Sequence, residues 1–316
     1  MAAALRFDEV SKSYPAWRRL RRRPVQALDG LSLEVEDGEI FGFLGPNGAG
    51  KTTALHLLMG FIFPDRGRGR VYDYGFGDPR GRLRIGFLPE NLGFYRYLTA
   101  EQLLWYYGRL NEVPDWSLQV RVPDLLEKVG LGDARQRRLG GYSRGMLQRL
   151  GLAQVLIHDP DLLVLDEPTS GLDPLGRRLV RQLLLELKAA GKTIFLSSHL
   201  LSEIELVCDR VGVIHRGRLQ RVGSVRALLE ASSRMELTVR GASPALLDAL
   251  RQQGAEVYEQ DRLHRIVLDR DQQRPAIERL WQEGGELLSA VPARSTIEEF
   301  FLEAVEDTPP EPGGPR

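Results

Sequence analysis

Short runs rich in apolar and β-branched residues alternate with helical patterns along the first two-thirds of the chain. Six of these runs predict strands: "ALRFDEV", "LSLEVE", "EIFGFLG", "LLVLDE", "TIFLSSH" and "RVGVIHRG". Strands that alternate with helices are typical of a partly parallel sheet. The sequence therefore predicts an α/β domain in this part of the chain.

The pattern becomes mostly helical between about residues 92 and 160. The helical segments are "TAEQLLWYYGRL", "VPDLLEKVG" and "YSRGMLQRLGLAQVLI", with no convincing strand between them. We expect this stretch to be a helical insertion into the α/β core.

A second unit begins at about residue 235. Its pattern predicts strand, helix, strand, strand, helix and strand, which is the order of a ferredoxin-like domain. We expect an accessory α+β domain at 235–305 and hypothesise that it makes contacts within a dimer. The Pro- and Gly-rich end at 306–316 predicts a disordered tail.

Composition gives no support for a nucleic-acid-binding, secreted or membrane-spanning protein. The 316 residues carry 43 Lys plus Arg and 43 Asp plus Glu, so the net charge gives no reason to expect nucleic acid as a partner. The one cysteine, Cys208, permits no internal disulfide and fits a reducing compartment. The N-terminus lacks the features of a secretion signal, and no window approaches ~18 uninterrupted apolar residues. We expect a protein that stays in the cytosol and does not span a membrane.

The segment "EIFGFLGPNGAGKTTALHLLMG" carries a phosphate-binding pattern between a predicted strand and a predicted helix. Gly45 is followed by four residues and then by Gly50, Lys51 and Thr52. Gly48 and Gly50 let backbone N–H groups turn toward phosphate oxygens, and the helix directs its positive end at the same anion. We expect Lys51 to reach the β- and γ-phosphates and the Thr52 hydroxyl to bind Mg²⁺.

Two adjacent carboxylates end the apolar run "LLVLDE". In a parallel sheet ligands bind at the carboxyl ends of the strands, so Asp166 is expected beside the phosphate loop, where it can hold Mg²⁺ largely through water. Glu167 follows at once and is expected to polarise the water that attacks the γ-phosphate. An Asp-Glu pair alone also suits a turn, so the prediction rests on its pairing with the phosphate loop.

Residues 4 to about 225 resemble the ATP-binding cassette (ABC) ATPases that drive ABC transporters, and we place the cassette at 4–228. "GPNGAGKTT" is similar to the family's Walker A loop, "LLVLDE" to its Walker B strand, "SGLD" at 170–173 to its D-loop, and "SSHLLSEIE" to its switch region. The resemblance implies that His199 contacts the γ-phosphate. It also implies that the ATP contacts include Tyr14, Gly45, Pro46, Asn47, Gly48, Ala49, Gly50, Lys51, Thr52, Thr53 and Asp173.

Two motifs depart from the family's usual pattern. The "LSGGQ" signature is replaced by "YSRGM", which keeps Ser143 and Gly145, the positions that would contact the γ-phosphate of the opposite subunit. Arg144 is expected to add positive charge near that anion. Glu90 stands in "LPEN", where the family places a glutamine, and a carboxylate there can bind Mg²⁺ or a water.

The resemblance implies an ATP-hydrolysing subunit that needs ATP and Mg²⁺. It would pair with itself or another cassette around two ATP molecules and drive a separate membrane permease, of the exporter (ABC-2-like) type, from the cytoplasmic face of the membrane. The alternative is a soluble ABC ATPase that acts in cofactor or metal-centre assembly. The sequence does not predict the cargo.

Two further segments each allow two interpretations. Five arginines fill six positions at 18–23, which suits either a solvated loop or a contact with an anionic lipid or acidic partner. The aromatic segment "LWYYGRL" at 104–110 suits either a helix core or a docking surface for a membrane subunit.

Overall fold

The computed structural model describes residues 3–18, 21–198, 200–230, 234–260, 263–293, 300–302 and 304. The chain divides into two compact units. The first unit is Met1–Val225 with a short segment that begins at Phe301, and the second is Arg226–Phe300.

Within the described residues, ten strands and most of the helices belong to the first unit. Its strands are β1 (Ala3–Arg18), β2 (Arg21–Glu36), β3 (Ile40–Leu44), β4 (Arg66–Val71), β5 (Tyr74–Gly75), β6 (Ile85–Leu88), β7 (Leu162–Asp166), β8 (Thr193–Ser198), β9 (Arg210–His215) and β10 (Arg218–Ser224). Its helices are α1 (Lys51–Leu58), α2 (Pro79–Arg82), α3 (Ala100–Leu110), α4 (Asp115–Lys128), α5 (Arg144–Leu156), α6 (Pro174–Ala189) and α7 (Leu201–Val207), and α8 (Val225–Glu230) leads into the second unit.

A six-stranded, mostly parallel sheet forms the centre of the first unit. The strand order is β10-β9-β3-β8-β7-β6, and only the β9–β10 pair is antiparallel. Every residue of β3, β7 and β8 is buried, as expected for apolar strands covered on both faces. In register, Leu44 lies beside Ser198, and Asp166 beside Ser197. The carboxyl ends of these strands therefore meet at one edge, as the sequence predicts.

A second, antiparallel sheet has the order β2-β1-β4-β5. The strands β1 and β2 form a long hairpin whose register continues to Trp17 opposite Arg22 and Arg18 opposite Arg21. Much of the arginine-rich segment at 18–23 thus has strand backbone and is not a loop, because the pairing of β1 with β2 continues through it. A contact of this segment with an anionic lipid or an acidic partner stays a prediction. Residues 19 and 20 lie outside the described part of the chain.

The stretch from 92 to 160 contains α3, α4 and α5, as predicted. The aromatic segment in α3 has two faces: Leu104 and Gly108 are buried, whereas Tyr106 is 49% and Leu110 is 63% exposed. The buried face agrees with the helix-core interpretation, and docking of a membrane subunit on the exposed face stays a prediction.

The second unit contains β11 (Arg234–Arg240), α9 (Pro244–Gln252), β12 (Glu256–Gln260), β13 (Leu263–Asp269), α10 (Arg270–Gln282) and β14 (Glu286–Pro292). Its antiparallel sheet has the order β12-β13-β11-β14. The unit has its own apolar core, which includes Leu237, Ile266 and Leu268 from the sheet and Leu250 and Leu280 from the helices.

Two remaining expectations concern the ends of the chain and membrane helices. The predicted tail at 306–316 lies outside the described residues. Across the residues that the structure does describe, no helix combines the length and the apolar composition needed to cross a bilayer.

Candidate active site

The phosphate loop, residues 45–53, follows the buried strand β3 and includes the first residues of α1. Two of its glycines are required by close packing. A Cβ at Gly45 would lie 2.4 Å from the carbonyl oxygen of Ile214, and one at Gly50 would lie 2.5 Å from that of Ala27. Gly50 also has a φ of +111°, which side chains with a Cβ rarely adopt. The loop is therefore held tightly against the rest of the sheet.

Lys51, the first residue of α1, is a buried lysine with only 8% of its surface exposed. Its Nζ donates a hydrogen bond to the carbonyl oxygen of Gly45 at 2.5 Å. Burial lowers the pKa of the Lys51 ammonium, and the nearby carboxylates of Glu167, Asp166 and Glu90 oppose that shift. The three carboxylates partly stabilise the Lys51 ammonium. Burying this charge still costs free energy.

Asp166 ends β7 and is 5% exposed. Burial raises the pKa of its carboxyl group, whereas the hydrogen bond that the Ser197 hydroxyl donates to it has the opposite effect. Glu90 raises this pKa further and Lys51 lowers it. Ser197 thus holds the Asp166 side chain in place at the edge of the sheet.

Glu167 has an unusual backbone conformation, with a φ of +51°. Non-glycine residues in this region are strained and are held there by their surroundings. The Glu167 N–H donates to the carbonyl oxygen of Ser197 at 3.1 Å, and its own carbonyl accepts from the Ser170 N–H at 3.1 Å. The residue is 7% exposed. The strain thus falls on the residue that the sequence predicts to be the base.

These groups line a common cavity of about 410 Å³. Its lining consists of Ala27, Pro46, Asn47, Gly48, Gly50, Lys51, Thr52, Thr53, Glu90, Asp166 and Glu167. The structure therefore brings the phosphate loop and all three predicted acids to one place. His199 lies outside the described residues.

The signature residues do not line this cavity. The Ser143 hydroxyl caps α5 by accepting from the Met146 N–H at 3.2 Å. Arg144 donates to the Ser170 hydroxyl at 3.2 Å, so the signature turn lies against the D-loop of its own chain. A Cβ at Gly145 would lie 3.3 Å from Leu172, in the same contact.

Asp173 and Tyr14 also lie outside the cavity lining. Asp173 caps α6, because its carboxylate accepts from the Gly176 N–H at 2.8 Å. Tyr14 is in β1 opposite Val25 and is 37% exposed. The Tyr14 ring is therefore accessible to solvent, but it does not line the cavity in a single chain.

The groups that line the cavity fit a magnesium nucleotide. Backbone N–H groups of the loop, the Lys51 ammonium and the Thr53 hydroxyl are donors for phosphate. The Thr52 hydroxyl and the carboxylates are oxygen ligands of the kind that Mg²⁺ takes. Among the described residues, no group of three or more His, Cys, Asp or Glu side chains is arranged to hold a metal by itself. Mg²⁺ is usually bound by one or two carboxylates together with substrate phosphates, and the acids and the phosphate loop that line this cavity fit that arrangement.

Comparison with known proteins identifies the family. A family model described as ABC transporter matches residues 28–170. An uncharacterized ABC transporter ATP-binding protein of Nostoc sp. (strain PCC 7120) is 42% identical over 284 residues, which cover 89% of this chain and 84% of that protein. The chain belongs to the ABC transporter ATP-binding proteins. The bacitracin transport ATP-binding protein BcrA of Bacillus licheniformis is 32% identical over 313 residues, which cover 96% of this chain and 98% of that protein.

The fold of this ABC protein agrees with that of a solved cassette. A dimeric ATP-binding cassette in a post-hydrolysis state, bound to ADP and Pi, aligns with a TM-score of 0.64 over 70% of this chain and 99% of that chain, at 22% identity. This likeness confirms the predicted P-loop α/β fold, and membership of the ABC transporter ATP-binding proteins confirms the predicted ABC ATPase. The protein is an ATPase.

Three residues of this ABC site were missed in the sequence. Ala27 lines the cavity from β2, Ser197 binds Asp166, and Gln148 on α5 contacts the backbone beside Glu167. Only Ser197 had a visible signal, since it stands at the end of a buried strand parallel to the one that carries Asp166.

Proposed function

We propose that this ATPase works as a pair of cassettes around two ATP molecules and drives a separate, export-type membrane permease. One observation carries the proposal. The cavity holds the phosphate loop, Glu90, Asp166 and Glu167, whereas Ser143 and Gly145 stand on a turn elsewhere on the same chain. The signature turn of a second chain would complete each site.

Within each site, different residues bind the phosphates, hold Mg²⁺ and accept a proton. Lys51 and the loop N–H groups bind the β- and γ-phosphates. Thr52 and Asp166 hold Mg²⁺, with Glu90 as a further ligand or water acceptor. The ion, when bound, neutralises charge that develops on the phosphate oxygens. Glu167 accepts a proton from the attacking water, and the buried setting excludes other water from the reaction.

The permease part of the proposal rests on a relative of nearly equal length. The bacitracin transport ATP-binding protein covers both units of this chain, and its name describes a transport function. We therefore place this protein at the cytoplasmic face of the cell membrane, bound to a permease. We also propose that the second unit is a ferredoxin-like accessory domain, since its six elements follow that order.

Glu167→Gln tests the pair and the base together. The amide keeps the shape of the side chain but accepts no proton, so hydrolysis should fall by a factor of about 10² or more. ATP binding should persist, and the variant should form a stable dimer with ATP. Phosphate release measures the first effect, and light scattering with and without ATP measures the second.

The matched control is Glu186→Gln, an exposed glutamate on α6 that bonds Gln182. It should hydrolyse ATP at the wild-type rate. A Glu167→Gln variant that also hydrolyses ATP at the wild-type rate would show that another group is the base. One that stays monomeric with ATP would contradict the paired arrangement.

The permease is tested by purifying tagged protein from gently solubilised native membranes. We expect a polytopic partner that changes the ATPase rate. Recovery only in the soluble fraction with soluble partners would instead favour an ATPase that acts in cofactor or metal-centre assembly.

A further inference from the structure

The signature helix α5 contacts the turn that carries Glu167 of its own chain at two places. Gln148 is 4% exposed, and its Nε2 donates to the carbonyl oxygens of Glu167 and Pro168, both at 3.3 Å. One helical turn earlier, Arg144 donates to the Ser170 hydroxyl at 3.2 Å. Residues four apart lie on the same face of a helix, so α5 binds both ends of this turn.

One of these contacts, that of Gln148, is made to the residue of the active site whose backbone is strained. Glu167 has a φ of +51°, and its carbonyl oxygen accepts from both Ser170 and Gln148. A residue in this conformation stays there only when its surroundings fix it. The Gln148 amide donates to this carbonyl from the neighbouring helix, so it bears directly on where the base points.

We propose that Gln148 is a positioning residue for the base Glu167, and that α5 thereby links the signature turn to the active site of its own chain. The inference rests on the proposed function, in which Ser143 and Gly145 of that turn face the partner's nucleotide. The helix that covers one ATP would then hold the base that acts on the other.

Gln148→Met tests this proposal, because methionine keeps the length of the side chain but donates no hydrogen bond. We expect kcat to fall at least tenfold while KM for ATP stays within about twofold, since the phosphate-binding groups are unchanged. Gln182→Met, an exposed glutamine on α6, is the control and should leave both constants unchanged.

A double variant separates positioning from general damage. If Gln148 acts through Glu167, adding Gln148→Met to Glu167→Gln should change the residual rate less than twofold, because the base is already absent. The double variant should still form the ATP-bound dimer. A wild-type kcat in Gln148→Met, or an equal loss in the presence and absence of Glu167, would overturn the proposal.

Two safeguards keep the outcomes distinct. If Gln148→Met does not fold, Gln148→Asn keeps a polar amide that is one methylene too short to reach the two carbonyls. It is assayed in the same two backgrounds with the same expected results. If Glu167→Gln alone keeps wild-type hydrolysis or forms no dimer with ATP, the proposed function fails, whatever Gln148 does.

Discussion

The ATP site of the first unit and the sheet of the second unit place their charges in opposite ways. In the ATP site Lys51, Asp166 and Glu167 are each less than a tenth exposed. In the second unit the charged groups lie across the surface of a sheet, where Arg234 pairs with Glu256 at 2.7 Å and Arg265 with Glu236 at 2.9 Å. These side chains remain between about a quarter and about a half exposed.

This difference in burial separates charged groups that bind or react with a ligand from those that only cover the surface. Burying a charge costs free energy, so a fold keeps buried charges where they bind or react with a ligand. Exposed pairs contribute little to stability and keep a surface soluble. We therefore expect substitutions in the ATP site to change activity strongly and stability little. Substitutions in the second unit should affect stability in proportion to burial.

The largest effect is expected from Lys51→Ala. Loss of the ammonium removes the phosphate contact that we propose for this buried group, so kcat/KM should fall by a factor of about 10² or more. The folded state should lose little stability, because the cost of burying the ammonium, which lowers its pKa, exceeds the stabilisation that the nearby carboxylates give it. Lys128→Ala removes an exposed lysine paired with Asp124 and should leave hydrolysis unchanged. ATPase assays and thermal unfolding of both variants check the contrast, and a strongly unfolded Lys51→Ala would break it.

In the second unit, the largest effect is expected in the core. Leu268 is fully buried in β13, and Leu268→Ala should lower the free energy of unfolding of this unit by about 2–5 kcal/mol. Leu288 in β14 is 40% exposed, so Leu288→Ala should cost far less. Denaturant unfolding of both variants measures the difference. Equal losses would show that burial does not govern stability here.

A smaller effect comes from an exposed carboxylate of the first unit. Asp65 accepts hydrogen bonds from the Lys12 side chain and from the N–H and hydroxyl of Ser13. These bonds lower the pKa of Asp65 from its ordinary 3.8 to about 2. The stabilisation is thus complete above pH 4 or so and is lost as the pH falls through 2.

Asp65→Asn should therefore lower the free energy of unfolding by roughly 0.5–1 kcal/mol at neutral pH, since the group is largely solvated. The difference from wild type should shrink between about pH 4 and pH 2. Unfolding curves across that range check the prediction, and a constant difference would contradict it.

The smallest effect is expected from Arg265→Ala. The guanidinium is 54% exposed in its pair with Glu236, so its loss should cost about 0.2–1 kcal/mol, and less at high salt. Unfolding at low and high salt measures this change. A cost near that of Leu268→Ala would remove the contrast between buried and exposed positions.

Much of the fold could be predicted from the sequence because its main signals are local. The central strands are unbroken apolar runs, and the phosphate loop is a pattern of glycines between a strand and a helix. The strand β4, "RGRGRV", was missed because it has almost no apolar residues. It forms because it pairs with β1, and Gly69 leaves the space that the Phe76 ring fills.

The site was predictable to the extent that its residues sit in recognisable motifs. Glu90, Asp166 and the phosphate loop meet in one cavity, because parallel strands bring their ends together. Gln148 could not be predicted, since a glutamine in a helical pattern gives no sign that its amide reaches a strained carbonyl 19 residues further along the chain. The roles of Ser143, Gly145 and Asp173 toward ATP remain predictions, because they require a second chain.

The central claim is that the signature turn of one chain covers the phosphate loop of another. The most direct test places one cysteine at Asn47 in a chain with one tag and one at Ser143 in a chain with a different tag, both carrying Cys208→Ala and Glu167→Gln. Cys208 is the only native cysteine and is buried, so its removal leaves a clean background. With ATP and an oxidant, the account predicts a disulfide between the differently tagged chains, which Lys51→Ala in the first chain abolishes. Absence of that cross-link with ATP bound would contradict the account.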